Sequence, residues 1–219
     1  MKYKCLVLDH DDTVVNSTET IHYPAFSKSL SVLRPETKIS LEEHIKYNFD
    51  PGFSDYCYKI LGFTEEEMQF QVDNWNEYVK TRVPKAYTGI SEVVKRQKEE
   101  GGYVCVVSHS MKDNILRDYR ENGLPLPDAV FGWERPADER KPSPFPLFEI
   151  MKMFSLSPKE ILVVDDLLPG KKMADAAGTD FAAAGWSHFV PEISERMKEE
   201  CPVYLPTVGA LYTLLFADR

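Results

Sequence analysis

The sequence predicts an α/β fold, a doubly wound (Rossmann-like) parallel-sheet core with an inserted small all-helical cap domain. Three observations carry this. Short apolar runs rich in Val, Leu and Ile recur without alternating with polar residues, which is the pattern of strands buried on both faces of a parallel sheet. Stretches of helical spacing lie between and after them, several ending in glycine. One long segment, residues 18–85, has no strand-like run at all.

The first run is "YKCLVL" (3–8), followed at once by the acidic stretch "DHDD". The insert comes next. "TIHYPAFSKSLSVL" and "FSDYCYKILG" read as helices, and "SLEEHIKYNF" and "TEEEMQFQVDNWNEYVKTRV" each open on a capping-box pattern, Ser40 with Glu43 and Thr64 with Glu67. About four helices are expected there. Core elements then resume with a helix over 90–102, the run "YVCVVS" (103–108), a helix over 112–123 and the run "AVFG" (129–132). The proline-rich loop "WERPADERKPSPFP" (133–146) leads to a helix over 145–154, the run "EILVVD" (160–165) and a helix over 171–178. Strand alternating with helix implies the doubly wound sheet. The expected domains are residues 1–17 with 86–219 for the core and 18–85 for the cap.

Bulk properties narrow the function. A chain of 219 residues suits one core domain plus a small insert. The net charge of −9 argues against a nucleic-acid or anionic-membrane surface. The four cysteines, Cys5, Cys57, Cys105 and Cys201, form no CxxC pair, so a zinc site or disulfide framework is not expected. The N-terminal run meets aspartates too soon for a signal peptide, and no apolar run is long enough to span a membrane. A cytoplasmic protein is expected, monomeric or weakly dimeric, with neither nucleic acid nor membrane as partner.

Ligands of doubly wound sheets bind at the carboxyl ends of the strands. The first strand delivers Asp9, His10, Asp11, Asp12 and Thr13 there. Residues two apart project to one side, so Asp9 and Asp11 share a face. Their mutual repulsion is relieved by a hard divalent cation, although the same residues also suit a helix cap facing water. The second strand delivers Ser108, His109 and Ser110. Ser108 suits a phosphate oxygen, and Ser110 reads as the N-cap of the next helix. The proline-rich loop offers Lys141, as a phosphate ligand or as a solvated charge. The last run ends in Asp165 and Asp166, as metal ligands or as a helix cap.

Taken in this order, the four spots resemble the haloacid dehalogenase-like superfamily of phosphatases. Asp9-His10-Asp11 with Thr13 resembles its DxD motif, Ser108 its second-strand hydroxyl, Lys141 in "KPSP" its lysine, and Asp165-Asp166 its acidic pair. The resemblance spans roughly residues 3–190 and is similar in kind to phosphoglycolate phosphatases and β-phosphoglucomutases, whose helical cap sits in the same place. It implies that Asp9 is the nucleophile and Asp11 the general acid and base. Ser108, Lys141 and His109 would bind phosphate. Asp9, Asp11 (through its main-chain carbonyl), Asp165 and Asp166 would hold Mg²⁺. The substrate would be a small phosphorylated metabolite chosen by the cap. Arg34, Lys38 and Lys46 are the basic cap residues available for a second anionic group, or are plain surface charges. His22 resembles a histidine of the sugar-phosphate members, displaced by one residue.

Two departures stand out. Asp12 occupies a position where the family usually has Gly, and Gly170 one where many members have a further Asp. The alternative activity is a phosphomutase, toward which Gly170 and His22 lean. A 2-haloacid dehalogenase is disfavoured by Asp11, and a receiver-like module by the reversed order of its acids.

Overall fold

The structure is a computed structural model that describes residues Lys2–Ala217. It divides into two compact units, one running to Asn16 and resuming at Lys85, the other spanning Ser17–Pro84.

The first unit is built on six parallel strands: β1 (Cys5–Leu8), β2 (Tyr103–Val107), β3 (Ala129–Phe131), β4 (Ile161–Asp165), β5 (Asp180–Ala184) and β6 (Tyr204–Leu205). Their spatial order is β3-β2-β1-β4-β5-β6. The chain therefore winds outward in both directions from β1, which is the doubly wound arrangement the apolar runs predict. All four residues of β1 and all five of β4 are buried, as a central parallel strand covered on both faces requires. Helices Ile90–Glu99, Lys112–Glu121, Phe145–Phe154, Leu168–Ala177, Pro191–Glu200 and Val208–Phe216 accompany the sheet; they are α5 to α10 in chain order.

The register decides what reaches the edge. Leu8 pairs with Val106 on one side and with Val164 on the other. One residue later, Asp9, Val107 and Asp165 stand level at the carboxyl edge, and the Asp9 N–H donates to the Val164 carbonyl at 2.9 Å.

The second unit holds α1 (Tyr23–Leu33), α2 (Leu41–Phe49), α3 (Phe53–Asp55) and α4 (Glu65–Lys80), with wide helical turns at Thr18–His22 and Tyr56–Ile60. Both capping boxes form as the sequence predicts. Its core gathers Phe26, Leu30, Tyr56, Cys57 and Phe63. His44 lies buried in contact with the rings of Tyr23, Phe26 and Tyr56. Among the described residues, no helix is long and apolar enough to cross a membrane.

Candidate active site

Strands β1 and β4 end in buried carboxylates. Asp9, Asp165 and Asp166 each offer an oxygen, and these atoms lie within 4.8 Å of one another. Into this cluster reaches buried Lys141, from the loop after β3. Its Nζ lies 2.6 Å from Asp165 Oδ2 and 2.9 Å from Asp9 Oδ1. The Asp9 contact is an ion pair without hydrogen-bond alignment, so among the described residues Oδ1 is a buried oxygen with no hydrogen-bond partner. The loop lysine is thus a buried charge and not a solvated one.

The charges do not balance. One ammonium faces three carboxylates. Burial pushes Asp165 up, with Asp9 adding to the rise and Lys141 opposing it, to about 6. Asp166 is pushed well above the usual carboxylate range, first by burial and then by Asp165, Asp9 and Asp12. Burial works against the charge of Lys141, but Asp165 and Asp9 more than offset it and hold its pKa above the ordinary lysine value. Clustered oxygen donors with a surplus of negative charge and an undirected Asp9 oxygen fit a hard divalent cation.

The remaining predicted residues surround this cluster without joining it. Ser108, at the end of β2, accepts on Oγ from the Ser110 N–H at 3.1 Å. His109 is exposed, and its Nε2 donates to the Lys141 carbonyl at 3.0 Å. The Asp11 carboxylate lies outside the acidic cluster: its Oδ2 accepts from Ser110 Oγ at 2.6 Å.

Ser110 corrects the sequence reading. The N-cap of α6 is Met111, with no side-chain cap bond, and the Ser110 hydroxyl serves Asp11 instead. The two departures also acquire physical reasons. Asp12 sits at φ 53°, a left-handed conformation that glycine adopts freely and aspartate tolerates better than most residues. A Cβ placed on Gly170 would lie 2.2 Å from Asp165 Oδ2, so α8 approaches Asp165 in a way that leaves no room for any side chain there.

Other contacts escaped sequence reasoning. Thr13 Oγ1 donates to Asp166 Oδ1 at 3.3 Å, His188 Nε2 donates to the Asp166 carbonyl at 2.7 Å, and Trp186 Nε1 donates to the Thr13 carbonyl at 3.1 Å. The aromatic and the imidazole follow β5, an element the sequence reading had not assigned. Within the second unit, the part-exposed guanidinium of Arg34 is already engaged. It grips both carboxylate oxygens of Glu67 at 2.7 and 2.8 Å and donates to the carbonyls of Leu61 and Gly62. Lys46 pairs with Glu42 at 2.8 Å. His22 accepts on Nδ1 from Trp75 Nε1 at 2.9 Å.

Acids and a lysine gathered at the carboxyl ends of a doubly wound sheet place the ligand site of an α/β protein at that edge. The chain belongs to the haloacid dehalogenase-like hydrolases, whose family profile matches residues 6–184, and is therefore an enzyme. It is 23% identical over 192 residues to pyrophosphatase PpaX of Listeria innocua, covering 87% of each chain. In fold it is similar to a predicted phosphoglycolate phosphatase from Haemophilus somnus, with a TM-score of 0.79, 19% identity and 99% of each chain covered. It is also similar to CbbY from Rhodobacter sphaeroides in complex with phosphate, with a TM-score of 0.72, 17% identity and coverage of 95% and 96%.

Proposed function

We propose that the protein is a phosphatase that hydrolyses a small phosphorylated metabolite through an aspartyl-phosphate on Asp9. The observation that carries this reading is the position of Asp9, buried at the carboxyl edge with Lys141 2.9 Å from it and a second acid pair beside it. A carboxylate held in place, beside a cation that draws phosphoryl oxygens toward it, is the arrangement nucleophilic phosphoryl transfer needs.

In the first step an Asp9 carboxylate oxygen forms a bond to phosphorus as the bond to the leaving oxygen breaks, and Asp11 delivers its proton to that oxygen. In the second, Asp11 takes a proton from water as the water oxygen bonds to phosphorus and the Asp9–phosphorus linkage breaks. The Ser110 hydroxyl fixes which way the Asp11 carboxyl faces. Lys141 and Ser108 hold the phosphoryl oxygens, with His109 at the rim. Asp9, Asp165, Asp166 and the Asp11 carbonyl would hold Mg²⁺, which when bound neutralises charge on the phosphoryl group.

The names of the similar proteins support pyrophosphate and phosphoglycolate as the first substrates to try, with sugar phosphates beside them. His22, whose resemblance favours the mutase and whose one-residue displacement disfavours it, has its Nδ1 occupied by Trp75. The four cysteines are free and buried, which suits the cytoplasm. A phosphate-release screen over these compounds, with Mg²⁺ and with EDTA, tests the proposal. Release that needs Mg²⁺ and disappears in Asp9→Asn is expected. Release by Asp9→Asn within a few-fold of wild type would exclude Asp9 as nucleophile.

A further inference from the structure

We propose that His10 is a positioning residue, and that α6 uses it with Ser110 as a two-point clamp on the segment bearing Asp9 and Asp11. The inference rests on the phosphatase reading for its effect on turnover.

His10 stands between the two aspartates, and its ring turns into the core of the unit. Its Nε2 lies 3.1 Å from Asp118 Oδ2, and both side chains are buried. A carboxylate only accepts, so Nε2 donates. Nδ1 is buried with no hydrogen-bond partner among the described residues, so the polar hold on the ring rests on this one bond. The other oxygen of Asp118, Oδ1, is gripped by Arg117 through Nε at 2.9 Å and Nη2 at 2.7 Å. Asp118 is therefore held from one side and holds His10 on the other. Burying a carboxylate is costly unless its oxygens are satisfied, which makes the geometry of this chain of contacts hard to relax.

The two grips lie along one segment, the α6 helix and the residues leading into it. Ser110 stands just before α6 and donates to Asp11 at 2.6 Å; Asp118 lies in its second half and accepts from His10 at 3.1 Å. Between the grips, the His10 carbonyl accepts from the Val14 and Val15 N–H groups, closing the turn that displays Asp11. A side chain one residue from the nucleophile and one from the acid, tied to a rigid helix, restrains both. Misplacement of reacting groups by about 1 Å costs up to about 100-fold in rate.

The test is steady-state kinetics on the phosphate-releasing substrate, with hydrogen–deuterium exchange over residues 11–14. In His10→Phe, kcat falls about tenfold or more while KM stays within about twofold. Asp118→Leu behaves alike, and the double variant is no worse than the poorer single. His10→Gln, whose side-chain amide N–H donates to Asp118 Oδ2 in place of Nε2 and leaves the Arg117 grip on Oδ1 untouched, stays within about threefold of wild type. Amide exchange over residues 11–14 quickens about tenfold in His10→Phe and Asp118→Leu but not in His10→Gln. Should His10→Phe not fold, His10→Met carries the same expectations. Wild-type kcat and exchange in His10→Phe, losses that multiply in the double variant, or a loss in His10→Gln equal to that of His10→Phe would each overturn the clamp. A wild type that releases no phosphate defeats the phosphatase reading instead, and the exchange arm then decides the clamp alone.

Discussion

The Lys141 ammonium lies 2.6 Å from Asp165 Oδ2, with both groups buried among further acids. It is the cation that lets these carboxylates coexist. Lys141→Ala is expected to lower kcat/KM at least about 100-fold, since a charge-stabilising contact is worth roughly that much. In EDTA it should also destabilise the fold by about 3–5 kcal/mol, the range for breaking a buried ion pair. Denaturant unfolding with and without Mg²⁺ measures this, and the deficit should shrink when Mg²⁺ is present.

Asp166 is pushed upward by burial and by three neighbouring acids. Replacing it with Asn removes repulsion along with a donor. In EDTA, Asp166→Asn should therefore melt at a higher temperature than wild type. With saturating Mg²⁺ the order should reverse, because only the wild type gains the full binding energy. At 100 times its Kd the cation adds about 2.7 kcal/mol. Thermal melts in the two buffers check both signs.

Gly170 sits where a Cβ would meet Asp165 Oδ2 at 2.2 Å. Gly170→Ala must move either α8 or the Asp165 carboxylate. Overpacking of this kind costs about 1–3 kcal/mol. Activity should fall further than that stability loss explains, since Asp165 also holds Lys141. Gly170→Asp should be worse on both counts.

Asp12 at φ 53° is replaceable by glycine but not by alanine. Asp12→Ala should cost about 1–2 kcal/mol, the penalty of the left-handed region for a residue with a Cβ and no local hydrogen bond. Asp12→Gly should stay within about 1 kcal/mol of wild type. It should also lower the pKa of Asp166, because the Asp12 charge is one of the causes that raise it.

Burial holds His44 neutral and pulls it down to about 4, with the charge of His22 adding to the effect, from an ordinary value of 6.5. The unfolded chain therefore binds this proton more readily than the folded one. The stability it contributes is complete above pH 6.5 and is lost as pH falls toward 4, by at most roughly 3 kcal/mol. His44→Phe should flatten the melting-temperature profile over that interval. An unchanged acid limb in the variant would assign the loss to other groups.

What could be read in advance followed physical periodicity. Strands β1 and β2 are unbroken apolar runs and β4 is one up to its terminal Asp165, and their pattern survives folding because both faces are buried. The acids after β1 and β4 were visible for the same reason, since each directly follows such a run. Strand β5 escaped because "DFAAA" is mostly alanine, a residue depleted in strands, and only its place beside β4 makes it one. Strand β6 has just two residues. With those strands went His188 and the contact that Trp186 makes with Thr13. Ser110 was misread because its sequence context is that of a cap, and only the fold brings Asp11 to it from 99 residues away. The His10–Asp118 bond spans 108 residues and follows no local pattern.

The account turns on Asp9 as the group that takes the phosphoryl. The most direct measurement is acid-quenched turnover with Mg²⁺ and the best substrate, followed by peptide mass analysis of the wild type and of Asp11→Asn. The account predicts a phosphoryl group on the peptide bearing Asp9 in the wild type, formed more slowly in Asp11→Asn, which lacks both the acid of the first step and the base of the second. Steady phosphate release with no phosphorylated Asp9 at any quench time would contradict it, and would mean that water attacks the substrate directly.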